Sequence, residues 1–127
     1  MQKSVLTPTN FAEEPFISIS RSTQLRMQID TFFLSKGVKR RLSQETPISI
    51  VACSLVAAGA GLAIVDPFTA QASGDLDVVF RPLEPRIDVQ FGIITTTDTP
   101  DSGPANDFIA GIEAEVRSFA ASVLMTG

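Results

Sequence analysis

At 127 residues the chain is long enough for one modest core and too short for two. It is 44% apolar and 19% charged, which excludes a disordered or low-complexity chain. Ten Lys and Arg against 14 Asp and Glu leave a net charge of −4, which argues against a polyanion-binding surface. A single Cys excludes an internal disulfide, and the absence of His removes His-ligated metal sites and the usual catalytic base near neutral pH.

Residues 1–15 read as an extended lead-in in which Pro8 and Pro15 discourage a helix. Its start has no apolar h-region and so no secretory signal, which points to a cytoplasmic protein. Phe16–Ser20 alternates apolar and polar residues and predicts a short strand. Ser22 or Thr23 then caps a helix with Leu25, Ile29, Phe32 and Phe33 on one face, and Gly37 stops it. Val38–Glu45 is more polar and predicts an exposed or edge strand, with Val38, Arg40 and Leu42 on one side.

Thr46–Pro47 predicts a helix start, a capping hydroxyl followed by Pro at the first helical position. Residues 48–65 carry no charge, a length at the threshold for a membrane span. Gly59 and Gly61 interrupt the stretch and Asp66–Pro67 closes it. It therefore reads as a buried helix (Ile48, Val51, Ala52, Leu55, Val56), a tight turn, and a strand Leu62–Val65 buried on both faces. Phe68–Ser73 predicts one helical turn. Val78–Leu83 and Ile87–Thr96 predict two more strands, broken at Glu84–Pro85. Thr97–Gly103 reads as a polar loop, and Pro104 opens a last helix that buries Phe108, Ile109, Ile112, Val116, Phe119 and Val123. Strands alternating with helices predict an α/β sheet with at least some parallel pairing, whose ligands bind at the carboxyl ends of its strands.

The segment Glu45–Thr46–Pro47–Ile48 through Gly59–Ala60–Gly61–Leu62–Ala63–Ile64–Val65–Asp66–Pro67 resembles a conserved stretch of the LysR-type transcriptional regulators. Three further pieces follow the same family in register: Leu6–Thr7–Pro8 through Pro15–Phe16–Ile17, then Arg26 and Asp30 with Phe33 and Gly37, then Pro104–Ala105 with Phe108–Ile109. The Ala-Gly-Ala-Gly form ending in Asp66–Pro67 is most similar to the amino-acid- and opine-responsive branch. The resemblance runs from about Leu6 to Phe119 and implies a fold of the periplasmic-binding-protein type II kind. It implies that residues 10–97 form most of the second, Rossmann-like effector subdomain and residues 98–127 a return segment and helix of the first. It further implies that DNA contact belongs to a winged helix-turn-helix that these residues do not include, and that effector domains pair as homodimers.

Two turns carry the candidate chemistry. Ser20, Arg21, Ser22 and Thr23 place hydroxyls, a guanidinium and a helix N-terminus together, a setting for a carboxylate. Their plain alternative is a capping hydroxyl beside a solvated Arg. Thr46 and Pro47 form a second helix start, and Asp66 and Pro67 end a strand on the same edge and line the pocket, or simply make a turn. Cys53 reads as a buried structural thiol. Arg81, Glu84, Arg86 and Asp88 read as a solvated rim, and Lys36, Lys39, Arg40 and Arg41 as an edge-strand surface or dimer contact. The expected function is non-catalytic sensing of a small effector, an amino acid or other carboxylate, without metal or cofactor. A solute-binding lobe of the same fold and a small α/β enzyme are the alternatives, but no nucleophile-plus-base pair appears at a convincing spacing.

Overall fold

A computed structural model describes residues 4–96 and 103–125, which divide into two compact units, Met1–Val89 and Gln90–Gly127. The first unit is an α/β layer structure. Its elements in chain order are a 3-10 turn Pro8–Phe11, β1 (Pro15–Ile19), α1 (Gln24–Leu34), β2 (Arg41–Thr46), α2 (Ser49–Ala57), β3 (Leu62–Ala63) and α3 (Pro67–Ala72). The strands form a parallel sheet in the order β2–β1–β3, as the alternation of strand and helix patterns predicts.

β1 is central, and Phe16, Ile17, Ser18 and Ile19 are all buried. The single buried face that its alternating sequence predicts is therefore not what forms: both faces are covered, and Ser18 is buried too. β2 is an edge, and its polar sequence leaves five of six residues exposed. Parallel crossovers are right-handed, and the connections β1–α1–β2 and β2–α2–β3 run in opposite directions. They therefore set α1 and α2 on opposite faces of the sheet. On the α1 face Ile29, Phe32 and Phe33 join Phe11, Phe16, Ile19 and Ile64 in one buried cluster, while Ala52 and Cys53 of α2 are buried outside it. Phe11 meets Phe16 and Phe33 edge-on, with centroids 6.0 and 5.4 Å apart. Edge-to-face pairs add about 0.5–1.5 kcal/mol each beyond their buried area.

Two helix ends follow their glycines. Val38 N donates to Phe33 O at 3.1 Å and Gly37 N to Leu34 O at 3.0 Å, with Gly37 at φ +62°. That pair of bonds is a Schellman stop, and Val38 packs back on the core. α2 ends with the same pair, Ala60 N to Leu55 O and Gly59 N to Val56 O.

Several expectations need correction. Pro8 starts a short 3-10 turn instead of an extended run, since a Pro at the first position has no N–H to waste. α2 begins at Ser49, two residues later than predicted, because Thr46 is held in β2 and its hydroxyl is engaged by the Ile48 amide. The helix is apolar all round, and its buried positions are Ala52 and Cys53, leaving Ile48, Ile50 and Val51 on the exposed side. β3 pairs for two residues and is half-buried, because it lies at the sheet's other edge; only Ile64 beyond it is buried.

The strand predicted over Val78–Leu83 reduces to one bridge, Leu6 with Leu83, closed by Leu6 N to Pro82 O and Glu84 N to Leu6 O. Pro82 and Pro85 have no N–H to donate, so no ladder propagates. The strand predicted over Ile87–Thr96 is not formed, although Ile87 packs on the core. Most of the predicted loop 97–103 lies outside the described residues.

The second unit contains α4 (Gly103–Met125), the predicted final helix. Its expected face is not buried: Ile109, Val116 and Phe119 are half-buried, and Phe108, Ile112 and Val123 are exposed. Among its described residues this unit has no strand against which such a face could form a second layer. Among the described residues no helix is long and apolar enough to cross a membrane.

Candidate effector site

All three strands point their carboxyl ends at one edge, and each leads into a helix there. Ser20–Thr23 connects β1 to α1, Thr46–Ile48 connects β2 to α2, and Ile64–Asp66 connects β3 to α3. With β1 between β2 and β3, the connections leaving β1 and β3 diverge to opposite faces of the sheet. Strand ends at such a divergence are the usual ligand position in sheets of this kind.

The turn after β1 is a tight cap. Thr23 is the N-cap of α1; its Oγ1 accepts from Arg26 N at 3.2 Å and donates to Ser20 O at 3.1 Å. Thr23 is thus spent on the helix, as the plain reading expects. The amides of Gln24 and Leu25, in the first turn, have no intrahelical acceptor. Arg21 and Ser22 are exposed, Ser20 is half-buried, and none of the three side chains makes a hydrogen bond to another described residue.

The second turn lies beside the first: Ser20 N donates to Thr46 O at 3.1 Å. Thr46 is buried, and its Oγ1 accepts from Ile48 N at 3.3 Å, so its hydroxyl closes the turn instead of capping the helix directly. Pro47 is exposed. Ile48 is the N-cap, which leaves the amides of Ser49 and Ile50 as the open first-turn donors of α2.

Asp66 and Pro67 are on the same edge but differently employed. The Asp66 carboxylate accepts from Thr69 N at 2.9 Å and from Thr69 Oγ1 at 2.6 Å, which makes it the cap of α3, and Pro67 is the first helical residue. The eight candidates therefore divide. Ser20, Arg21 and Ser22 have polar groups to offer a ligand, whereas Thr23, Thr46 and Asp66 shape the turns.

Sequence reasoning did not count Arg26 among the site residues. Its side chain is 6% exposed. Nη1 donates to Ile19 O at 2.9 Å and to Glu45 Oε2 at 3.3 Å, and Nε donates to Asp30 Oδ1 at 2.9 Å. The available signal was the opposite-charge pair Arg26/Asp30 at i, i+4 on the helix side that also carries Ile29 and Phe33. Burial alone would lower the Arg26 pKa, but the Asp30 and Glu45 carboxylates outweigh it and raise it, so the group stays charged. Burial likewise pushes the Asp30 carboxyl up, and the hydrogen bonds and charges of Arg26 and Arg40 reverse that and hold it below its usual value.

Arg40 is the second partner of Asp30 through Nη2. Its guanidinium lies 4.9 Å from the Phe33 centroid and 5.5 Å from that of Phe16. Its Nη1 is buried with no hydrogen-bond acceptor, which the facing aromatic rings partly replace. Arg40 thus leaves the expected basic surface, while Lys36, Lys39 and Arg41 remain on it. Cys53 is buried, and no group of His, Cys, Asp and Glu among the described residues is arranged to hold a metal ion.

Residues 2–117 match the LysR substrate binding domain family. The chain belongs to that family. It is similar to the transcriptional activator protein LysR of Escherichia coli K12, 31% identical over 95% of this chain and 39% of the relative. It is also similar to the regulatory protein NocR of Agrobacterium tumefaciens T37 and of Agrobacterium fabrum C58, each 33% identical over 87% of this chain and 37% of the relative. The chain spans about two-fifths of the length of these relatives. The parallel α/β sheet of the first unit agrees with the periplasmic-binding-protein type II-like fold of that family.

Proposed function

We propose that the chain is the effector-sensing, non-catalytic part of a LysR-type transcriptional regulator. The effector is a small carboxylate, an amino acid or opine-like compound, taken up at the carboxyl edge of the sheet. The observation that carries this reading is the pairing of two turns by the Ser20 N–Thr46 O bond. It sets the open amides of α1 and α2 at one edge with Arg21, Ser20 and Ser22, while the nearby Asp66 and Glu45 carboxylates are occupied by Thr69 and Arg26. Backbone amides at a helix start and a guanidinium favour a carboxylate over a neutral ligand.

In this reading residues 10–97 make up the second effector subdomain and residues 98–127 contribute a return segment and helix to the first. The regulator is cytoplasmic, pairs as a homodimer and contacts DNA through a separate winged helix-turn-helix. The effector shifts the population between subdomain arrangements and so the DNA-binding geometry.

Thermal unfolding with amino acids, opines, aromatic acids and their neutral amides tests it. A ligand at about 100 times its dissociation constant adds roughly 2.7 kcal/mol, a shift on the order of ten degrees. One class of carboxylate is expected to raise the transition while its amide does not. Equal shifts by acid and amide, or none by any compound, would remove the proposal.

A further inference from the structure

Arg26 touches more of the proposed effector edge than any residue that faces it. Its amide is held by Thr23 Oγ1 in the turn after β1. Its Nη1 reaches the carbonyl of Ile19, the last residue of β1, and the carboxylate of Glu45, the residue before the β2 end at Thr46. Its Nε is held by Asp30 one turn along α1. The residue is 5% exposed, so it works from beneath the edge and not on its surface. We infer that Arg26 is the positioning residue of this edge, holding the ends of β1 and β2 and the first turn of α1 in the single geometry that presents Ser20–Ser22 and the open amides. The inference rests on the effector reading only for its purpose; the clamp itself is geometry.

The physical argument is one of fork geometry. The Ile19 carbonyl lies at the end of β1, where the ladder gives out, and it accepts from Arg26 and from Ser18 Oγ. Ser18 is on β1 itself and cannot tie that strand to anything else. To the β1–β2 ladder and the Ser20 N–Thr46 O and Thr23 Oγ1–Ser20 O bonds the guanidinium adds one rigid, planar group whose donors reach β1, β2 and α1 together. A lysine ammonium in its place keeps the charge but not that fork.

Amide hydrogen exchange on the full chain reads the clamp directly. The reporters are Ser20 N, bonded to Thr46 O, and Ile48 N, bonded to Thr46 Oγ1; Ala58 N and Ser73 N, bonded within α2 and at the end of α3, are the controls. In Arg26→Met the two reporters are expected to exchange at least tenfold faster relative to the controls. Arg26→Lys should recover part of that protection, and it carries the test where the Met variant fails to fold. Unchanged reporters, or all four amides accelerated by one common factor, would overturn the inference, since a merely stabilising residue acts on the whole unit.

Titration of the wild type with L-lysine and with succinate, read at the Gln24 and Leu25 amides, separates the two claims. Binding of neither carboxylate-bearing compound counts against the effector reading and leaves the exchange result standing. Where one binds, Arg26→Lys should weaken it at least fivefold although Arg26 is buried, and equal affinity would overturn the positioning role.

Discussion

A guanidinium taken out of water must find acceptors where it lands, and Arg26 and Arg40 find a common one in Asp30. Asp30 is 47% exposed, so its ion pairs are partly screened. Asp30→Ala is expected to cost about 1–2 kcal/mol in denaturant unfolding, less than a fully buried pair but more than a surface one. The folded pKa of Asp30 lies below its usual value, so its contribution is full above about pH 4 and is lost as pH falls through the folded pKa. Stability of the wild type should therefore decline more steeply below pH 4 than that of Asp30→Asn, and superimposable acid limbs would contradict the assignment. The Arg26/Asp30 pair is legible as a helical spacing, but its third member, Glu45, is 19 residues away and only the β1–β2 register brings it near.

Local chemistry is legible in the cap of α1, where Thr23 is one of the two expected residues. It is not legible at α2, where the expected cap Thr46 closes a turn, nor at Asp66, which the sequence reads as pocket lining or a turn. Thr23 caps α1 and Asp66 caps α3, because a short side-chain oxygen before a helix answers an amide within three residues. Thr23→Ala should cost about 1 kcal/mol, measured by chemical denaturation. Gly61 shows where a local rule meets a non-local one. Its φ is +141°, and a Cβ there would come within 2.1 Å of Pro15 O, the start of β1. Gly61→Ala is expected to destabilise the unit by about 3 kcal/mol, a loss on the order of 15 °C in melting temperature, whereas a loss of a degree or two would mean that β3 can move away from β1. The face of α2 was misread for a related reason. A helix apolar on all sides has no amphipathic direction, so only its contact with all three strands selects Ala52 and Cys53 for burial. Of the strands expected at 78–96, residues 87–93 alternate in sequence and residues 78–80 are an apolar run, but such a pattern offers a strand and does not supply its partner.

For the chain as a whole, the parallel sheet lies within residues 2–117, the stretch that matches the LysR substrate binding domain family. The proposed pairing of effector domains is tested by size-exclusion chromatography with light scattering. A dimer is expected in the micromolar range, and monomer at every concentration would count against it. The exposed Ile48, Ile50 and Val51 of α2 and the exposed Phe108 of α4 show that not every apolar side chain finds cover within its own unit.

What was legible in the residues alone was the class of the fold, the Thr23 cap of α1, the glycine stops of α1 and α2 and the edge character of β2. Each follows from the identity of residues within a few positions: a side-chain oxygen that reaches a nearby amide, a glycine that accepts positive φ, and a run whose polarity matches an exposed edge. Tertiary packing settled which face of α2 is buried, how far β3 pairs, that β1 is central and buried on both faces, that the strands expected at 78–96 do not form, and that Arg26 lies beneath the carboxyl edge of the sheet. Those outcomes depend on which distant segment arrives as neighbour, and a neighbour's identity is set by chain topology and packing, not by local pattern.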